Sequence, residues 1–128
     1  EISSTAFSSP VNSSLTTFQY ILGSRNQPDA QAACRGNYID LATVYSDEDN
    51  TQLDNLLRKA GGGAWTWAGW IGLYRSQFSV KWSNGDPVTF SNMAGDCGTS
   101  SCCAVMKPDG SWESLQCTVT RYFMCYEQ

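Results

Sequence analysis

Cysteine constrains this chain more than any other residue type. Six fall within 128 residues, at positions 34, 97, 102, 103, 117 and 125, with two adjacent and the outermost pair spanning most of the length. An even and dense set of this kind reads as a disulfide framework made in an oxidising compartment, which points to a secreted or extracellular domain. Zinc is the rival use of clustered cysteines. It is disfavoured because Cys97, Cys102, Cys103 and Cys117 lack paired Cys-x-x-Cys hooks and the chain has no histidine. The missing histidine also removes Ser-His-Asp and Cys-His nucleophilic machinery, so neither an enzyme nor a cofactor is expected.

The length is that of one domain with a single core. Lys plus Arg number 8 against 12 for Asp plus Glu, a net charge of −4 that offers no footprint for nucleic acid or anionic lipid. No stretch approaches the about 18 apolar residues of a membrane span, so direct membrane insertion is not expected. The chain begins without Met or a signal sequence and reads as a processed chain or an excised domain.

Residues 1–14 carry seven Ser and Thr around Pro10 and read as a Ser-rich N-terminal arm, with residues 15–128 as the folded domain. Asn12-Ser13-Ser14 is an N-glycosylation acceptor sequence. Phe18 to Leu22 is β-prone and Gly23-Ser24 is expected to close it, after which Pro28 suits the start of a helix. Ala30, Ala33, Cys34 and Asn37 share one face of that helix. Leu41 to Val44 reads as a brief extended piece. Ser46 and Asp49 make an approximate capping box for a second helix, whose Leu53, Leu56, Leu57 and Ala60 form an apolar stripe and which Gly61-Gly62-Gly63 ends. From Trp65 onward the vocabulary is that of strands and turns, with reversals at Ser83 to Pro87 and at Asp109-Gly110. Helices followed by strands, without βαβ alternation, give an α+β class.

Six cysteines permit fifteen pairings and the sequence alone does not choose among them. Local geometry narrows the field. A strand through Cys102 and Cys103 points them to opposite faces, so that Cys103 can reach Cys117 across the Asp109-Gly110 hairpin. Cys97 then lies near Cys102, and Cys34 is left for Cys125.

The residues Ala30-x-x-x-Cys34, Leu41-Ala42-Thr43-Val44, Trp70-Ile71-Gly72-Leu73, Trp82-Ser83-Asn84-Gly85, Cys103, Gly110-x-Trp112, Cys117 and Phe123-Met124-Cys125 form a series. From about Phe18 to Glu127 that series resembles the C-type lectin-like domain. The resemblance implies two helices plus antiparallel β-sheets with a long loop. It also implies three disulfides: the shared pairs Cys34–Cys125 and Cys103–Cys117, and an extra loop bridge Cys97–Cys102. The adjacent Cys102-Cys103 pair is similar to that of the family's fish lectin and antifreeze branch. A minor departure is Gln27, where the family often has an aromatic residue.

The family's sugar-binding members hold calcium through a Glu-Pro-Asn or Gln-Pro-Asp tripeptide, a later acid and a Trp-Asn-Asp strand. Calcium takes six to eight oxygen ligands. Here the strand reads Trp112-Glu113-Ser114, and residues 92–102 contain no proline and one acid, Asp96. Gln27-Pro28-Asp29 spells the tripeptide but precedes the first helix, far from the loop that would need it. Asp96 and Glu113 are therefore weak metal candidates, and the expectation is carbohydrate recognition without calcium, the partner being a glycan or glycoprotein. The candidate ligand-binding residues are Asp96, Glu113, Thr99, Ser100, Trp65 and Trp67. Tyr74, Arg75, Gln77, Lys107 and Arg121 form a second group, while Trp70 and Trp82 read as core and Asp86 and Asp109 as turn residues. The alternative is a protein-binding or ice-binding domain that recognises no sugar.

Overall fold

A computed structural model gives the fold for residues 6–8, 16–61, 68–75, 80–94 and 102–127. The first helix, α1 (Gln27–Asn37), begins where expected: the Asn26 side chain accepts from the Asp29 N–H at 2.9 Å and Pro28 sits in the first turn. Its buried residues are Gln27, Ala30 and Cys34, whereas Asn37, expected on the same face, is exposed because the helix ends there and the chain turns away at Tyr38. The second helix, α2 (Asp47–Gly61), buries Leu53, Leu56 and Leu57. Ser46 Oγ accepts from the Asp49 N–H, and the Asp49 carboxylate reaches back to the Tyr45 N–H, one residue earlier than in a standard capping box.

The strands are β1 (Ala6–Ser8), β2 (Thr17–Arg25), β3 (Asp40–Leu41), β4 (Gly69–Arg75), β5 (Val80–Trp82), β6 (Met93–Ala94), β7 (Cys102–Met106), β8 (Trp112–Leu115) and β9 (Arg121–Glu127). β2 does not close at Gly23-Ser24; it continues to Arg25 through a register shift against β9. β1 lies within the Ser-rich segment and pairs with β2, Phe7 opposite Tyr20. The sheet runs β1-β2-β9-β4-β7-β8-β6, with β3 added on β9 and β5 on β4. It is mixed rather than wholly antiparallel, since β4 runs parallel to β9 and β6 parallel to β8. Neither pair is joined by a hairpin, so no tight turn imposes the antiparallel direction.

The core divides into two apolar clusters. The larger one, with α2, gathers Phe18, Tyr20, Leu53, Leu57, Ile71, Trp82, Trp112 and Met124, and the rings of Trp82 and Trp112 meet edge to face at 5.5 Å. The smaller one, with α1, gathers Ile21, Ala30, Leu41, Trp70, Val105 and Phe123 together with Cys34, Cys103 and Cys125. Two disulfides strengthen this side, Cys34–Cys125 and Cys103–Cys117. Cys102 is also disulfide-bonded, and no described cysteine is free. Its expected partner, Cys97, lies outside the described residues.

β4 holds the two halves together, and it does so through an irregularity. Trp70 pairs with Val105 and Tyr74 with Cys103, so three β4 residues stand against one of β7. Within this bulge the Gly72 N–H donates to Ala42 O at 2.9 Å, while the Gln27 side-chain amide donates to both Ile71 O (3.0 Å) and Leu73 O (3.2 Å). Gly72 has to lack a side chain, because a Cβ there would stand 2.6 Å from Ser83 Oγ and 3.2 Å from Ala42 O. Gln27 is 6% exposed, and its Oε1 rests 2.9 Å from Cys103 Sγ, a contact without a shared proton because a disulfide sulfur carries none. On the opposite side Asn50, also buried, donates to Gly110 O at 2.9 Å and accepts from Trp112 Nε1 at 2.7 Å. This locks α2 onto the β7–β8 turn, where Gly110 adopts φ +86.

Two stability predictions follow from these ties. Replacing Gln27 by Leu leaves two bulge carbonyls buried without donors, and urea unfolding is expected to show a loss of about 1–3 kcal/mol. Removing the long-range pair with Cys34→Ser and Cys125→Ser is expected to cost about 4 kcal/mol by the same measurement, and removing Cys103–Cys117 about 3 kcal/mol, because the first closes the longer loop.

Candidate functional site

β4 and β5 form a short antiparallel ribbon in which Leu73 pairs with Trp82, Tyr74 with Lys81 and Arg75 with Val80. Directly opposed residues share a face and neighbours along a strand alternate, so Leu73, Arg75 and Val80 point one way and Tyr74 and Lys81 the other. Each face lines a groove. The first, of about 200 Å³, is bounded by Leu73, Arg75, Val80, Ser91, Met93 and Ser114. Its wall is largely aliphatic, with Arg75 as its one charged group among the described residues. The Arg75 guanidinium forms no ion pair or hydrogen bond with the described residues. Its five N–H donors remain available at the rim.

β8 carries the Trp112-Glu113-Ser114 run. Trp112 opposes Met106, Glu113 opposes Val105 and Ser114 opposes Ala104, which sends Glu113 and Ser114 to opposite faces of the strand. Ser114 opens into the first groove, with its hydroxyl donating to Met93 Sδ at 3.2 Å. Glu113 is exposed on the other side. A calcium ion would need six or more oxygens converging on one point. The described residues at these positions do not fit one: they bring a single carboxylate and a hydroxyl turned away from it. No group of three or more acidic, Cys or His side chains suited to a metal occurs among the described residues.

Other residues picked from the sequence are placed as follows. Asp96, Thr99, Ser100, Trp65, Trp67, Gln77 and Asn12 lie outside the described residues. Trp70 and Trp82 are buried in the core. Asp109 is a turn residue whose carboxylate accepts from the Ser111 hydroxyl and N–H, bonds that hold its pKa below the usual carboxylate value. Asp86 accepts a short hydrogen bond from the Tyr45 hydroxyl; partial burial and that bond push the Tyr45 pKa up to about 12. Tyr74 and Arg75 fall on opposite faces of the ribbon, Lys107 sits in the β7–β8 turn and Arg121 on β9, so that group does not form one surface. Sequence reasoning missed Gln27, Ser91 and Met93. For Gln27 a signal existed: 27, 30 and 34 are spaced by three and four along α1, and all three are buried.

The sequence matches the C-type lectin domain over residues 23–127. Solved structures of the same fold include human lithostathine, 17% identical with a TM-score of 0.81 over 94% of this chain and 88% of that one. The carbohydrate-recognition domain of the mouse scavenger receptor C-type lectin is 22% identical, with a TM-score of 0.74 over 88% of this chain and 90% of that one. The corresponding domain of cow CD23, solved in the presence of a GlcNAc2Man3 oligosaccharide, is 21% identical with a TM-score of 0.71 over 87% and 86%. With that match covering most of its length, the chain belongs to the C-type lectin domain family.

Proposed function

We propose that the protein is a secreted or extracellular recognition module that binds glycans without calcium and has no catalytic role. Family membership supports carbohydrate as the ligand class, and its disulfides support an oxidising environment. No described helix is long and apolar enough to cross a membrane. The observation that carries the calcium-free reading is the donor set on β8, one carboxylate at Glu113 and one hydroxyl at Ser114, against the six or more oxygens that a calcium ion takes. Without a cation, the polar contacts to sugar hydroxyls have to come from side chains. The first groove offers the Arg75 donors and the Ser114 hydroxyl against an aliphatic wall of Leu73 and Val80 that suits the C–H face of a pyranose. Asp96, Thr99, Ser100, Trp65 and Trp67 belong to the same proposal as sequence-derived contacts.

Such a shallow groove binds one sugar weakly, so a glycan array should display the protein in multivalent form. Binding to a subset of glycans is expected to survive a calcium chelator unchanged, and calorimetric titration with calcium to show no heat of binding. Chelator-sensitive binding, or silence on every glycan, overturns the reading. On the glycans that bind, Arg75→Ala is expected to weaken binding on the order of tenfold, through loss of about 1.4 kcal/mol of hydrogen bonding, while Glu113→Gln on the other face leaves it intact.

A further inference from the structure

The second face of the β4–β5 ribbon lines a groove of about 420 Å³ between that ribbon and α1, within the range of small-molecule sites. Gln27, Pro28 and Gln31 form its helical wall and Tyr74, Lys81 and Ser83 the other, with the Cys103–Cys117 disulfide between them. These polar side chains fall into two groups. Gln27 and Ser83 are committed to the fold, the first to the β4 bulge and the second to Asp40 Oδ1 at 3.0 Å. Gln31, Tyr74 and Lys81 make no hydrogen bond or ion pair with any described residue.

The charge of this groove is of one sign. The chain carries a net −4, yet Lys81 is the one charged residue among the described lining and no described carboxylate joins it. A lone ammonium at a partly enclosed wall favours an anionic group over a neutral one. Tyr74, 42% exposed, presents a ring of which only one edge is polar, and the Gln31 amide brings both a donor and an acceptor.

We propose that this groove is a second saccharide site, specific for an acidic sugar. The carboxylate of a uronate unit pairs with Lys81, the pyranose ring lies on Tyr74, and Gln31 bonds to a ring hydroxyl. The saccharide class rests on the function proposed above, whereas the preference for an acid and the location rest on the groove alone. The site lies on the opposite face of the ribbon from Arg75, so shifts at Lys81 and at Arg75 distinguish the two.

The test is an NMR titration of isotope-labelled protein with three probes: a uronate-containing disaccharide, the same disaccharide with its carboxyl reduced to an alcohol, and inorganic sulfate. The expected result is saturable shifts at Gln31, Tyr74 and Lys81 with the uronate, affinity on the order of fivefold or more above the reduced sugar, and weakening as salt is raised. Lys81→Gln is expected to erase that preference and Tyr74→Ala to weaken both sugars. Both Lys81 and Tyr74 are exposed, so the variants should fold, and their amide spectra will verify it. Equal affinity for the reduced sugar, shifts confined to the Arg75 face, or sulfate binding as tightly as the uronate would each overturn the proposal. A silent glycan array together with uronate binding at Lys81 would overturn the Arg75 site and leave this one standing.

Discussion

A side-chain amide replaces a missing piece of β-ladder at the centre of this molecule, and the rest of the structure depends on that substitution. β4 touches β9, β7 and β5, but it pairs with β7 only by carrying a bulge from Ile71 to Leu73. Bulge carbonyls buried in an apolar core need donors. The Gln27 Nε2 group supplies both at once, from the first residue of α1. The position of α1 and the register of β4 against β7 beyond the bulge are both tied to one polar residue inside the core.

The two sides of the sheet reach stability differently. The α2 side is large, aromatic and locked by Asn50 between Trp112 and Gly110. Apolar burial supplies most of its stabilisation. The α1 side packs small residues such as Ala30 against the strands, and a helix with so little apolar area gains less from burial. The cross-links Cys34–Cys125 and Cys103–Cys117 fall on this side, where they reduce the entropy of the unfolded chain. Covalent ties and apolar packing thus complement each other across the sheet.

Much of this was legible in the sequence, and the exceptions share a cause. Local signals located both helices: Pro28 for the start of α1, and the stripe of Leu53, Leu56 and Leu57 for α2. The pairings of Cys34 and Cys103 followed from strand alternation and the family pattern. The parallel pairs β4–β9 and β6–β8 were not legible, because contacts between segments remote in sequence leave no periodicity behind. Gln27 was counted as a departure from an aromatic pattern, when its amide serves carbonyls more than forty residues away. At the site, the run Trp112-Glu113-Ser114 showed which carboxylate had been lost. It did not show which of the two, the remaining acid or the hydroxyl, opens into the groove, since that depends on the register of β8 against β7.

That register bears on what kind of recognition the fold can support. A coordinated cation gathers ligands from several segments and can draw a loose loop into shape as it binds. A groove without one has to be rigid beforehand, because each side chain ordered on binding subtracts from affinity. The turn after β5 meets this requirement through a continuous polar network. Ser83 donates to Asp40, Arg35 bridges Asp40 and the Ser83 carbonyl, and Tyr45 is held between Asp86 and Asn84. Close approach at Gly72 presses the same turn onto β4. The ribbon that separates Arg75 from Lys81 is therefore held at its Leu73–Trp82 end, by the bulge on β4 and by this network after β5. The backbone that carries both grooves is thus held by contacts that no ligand has to supply.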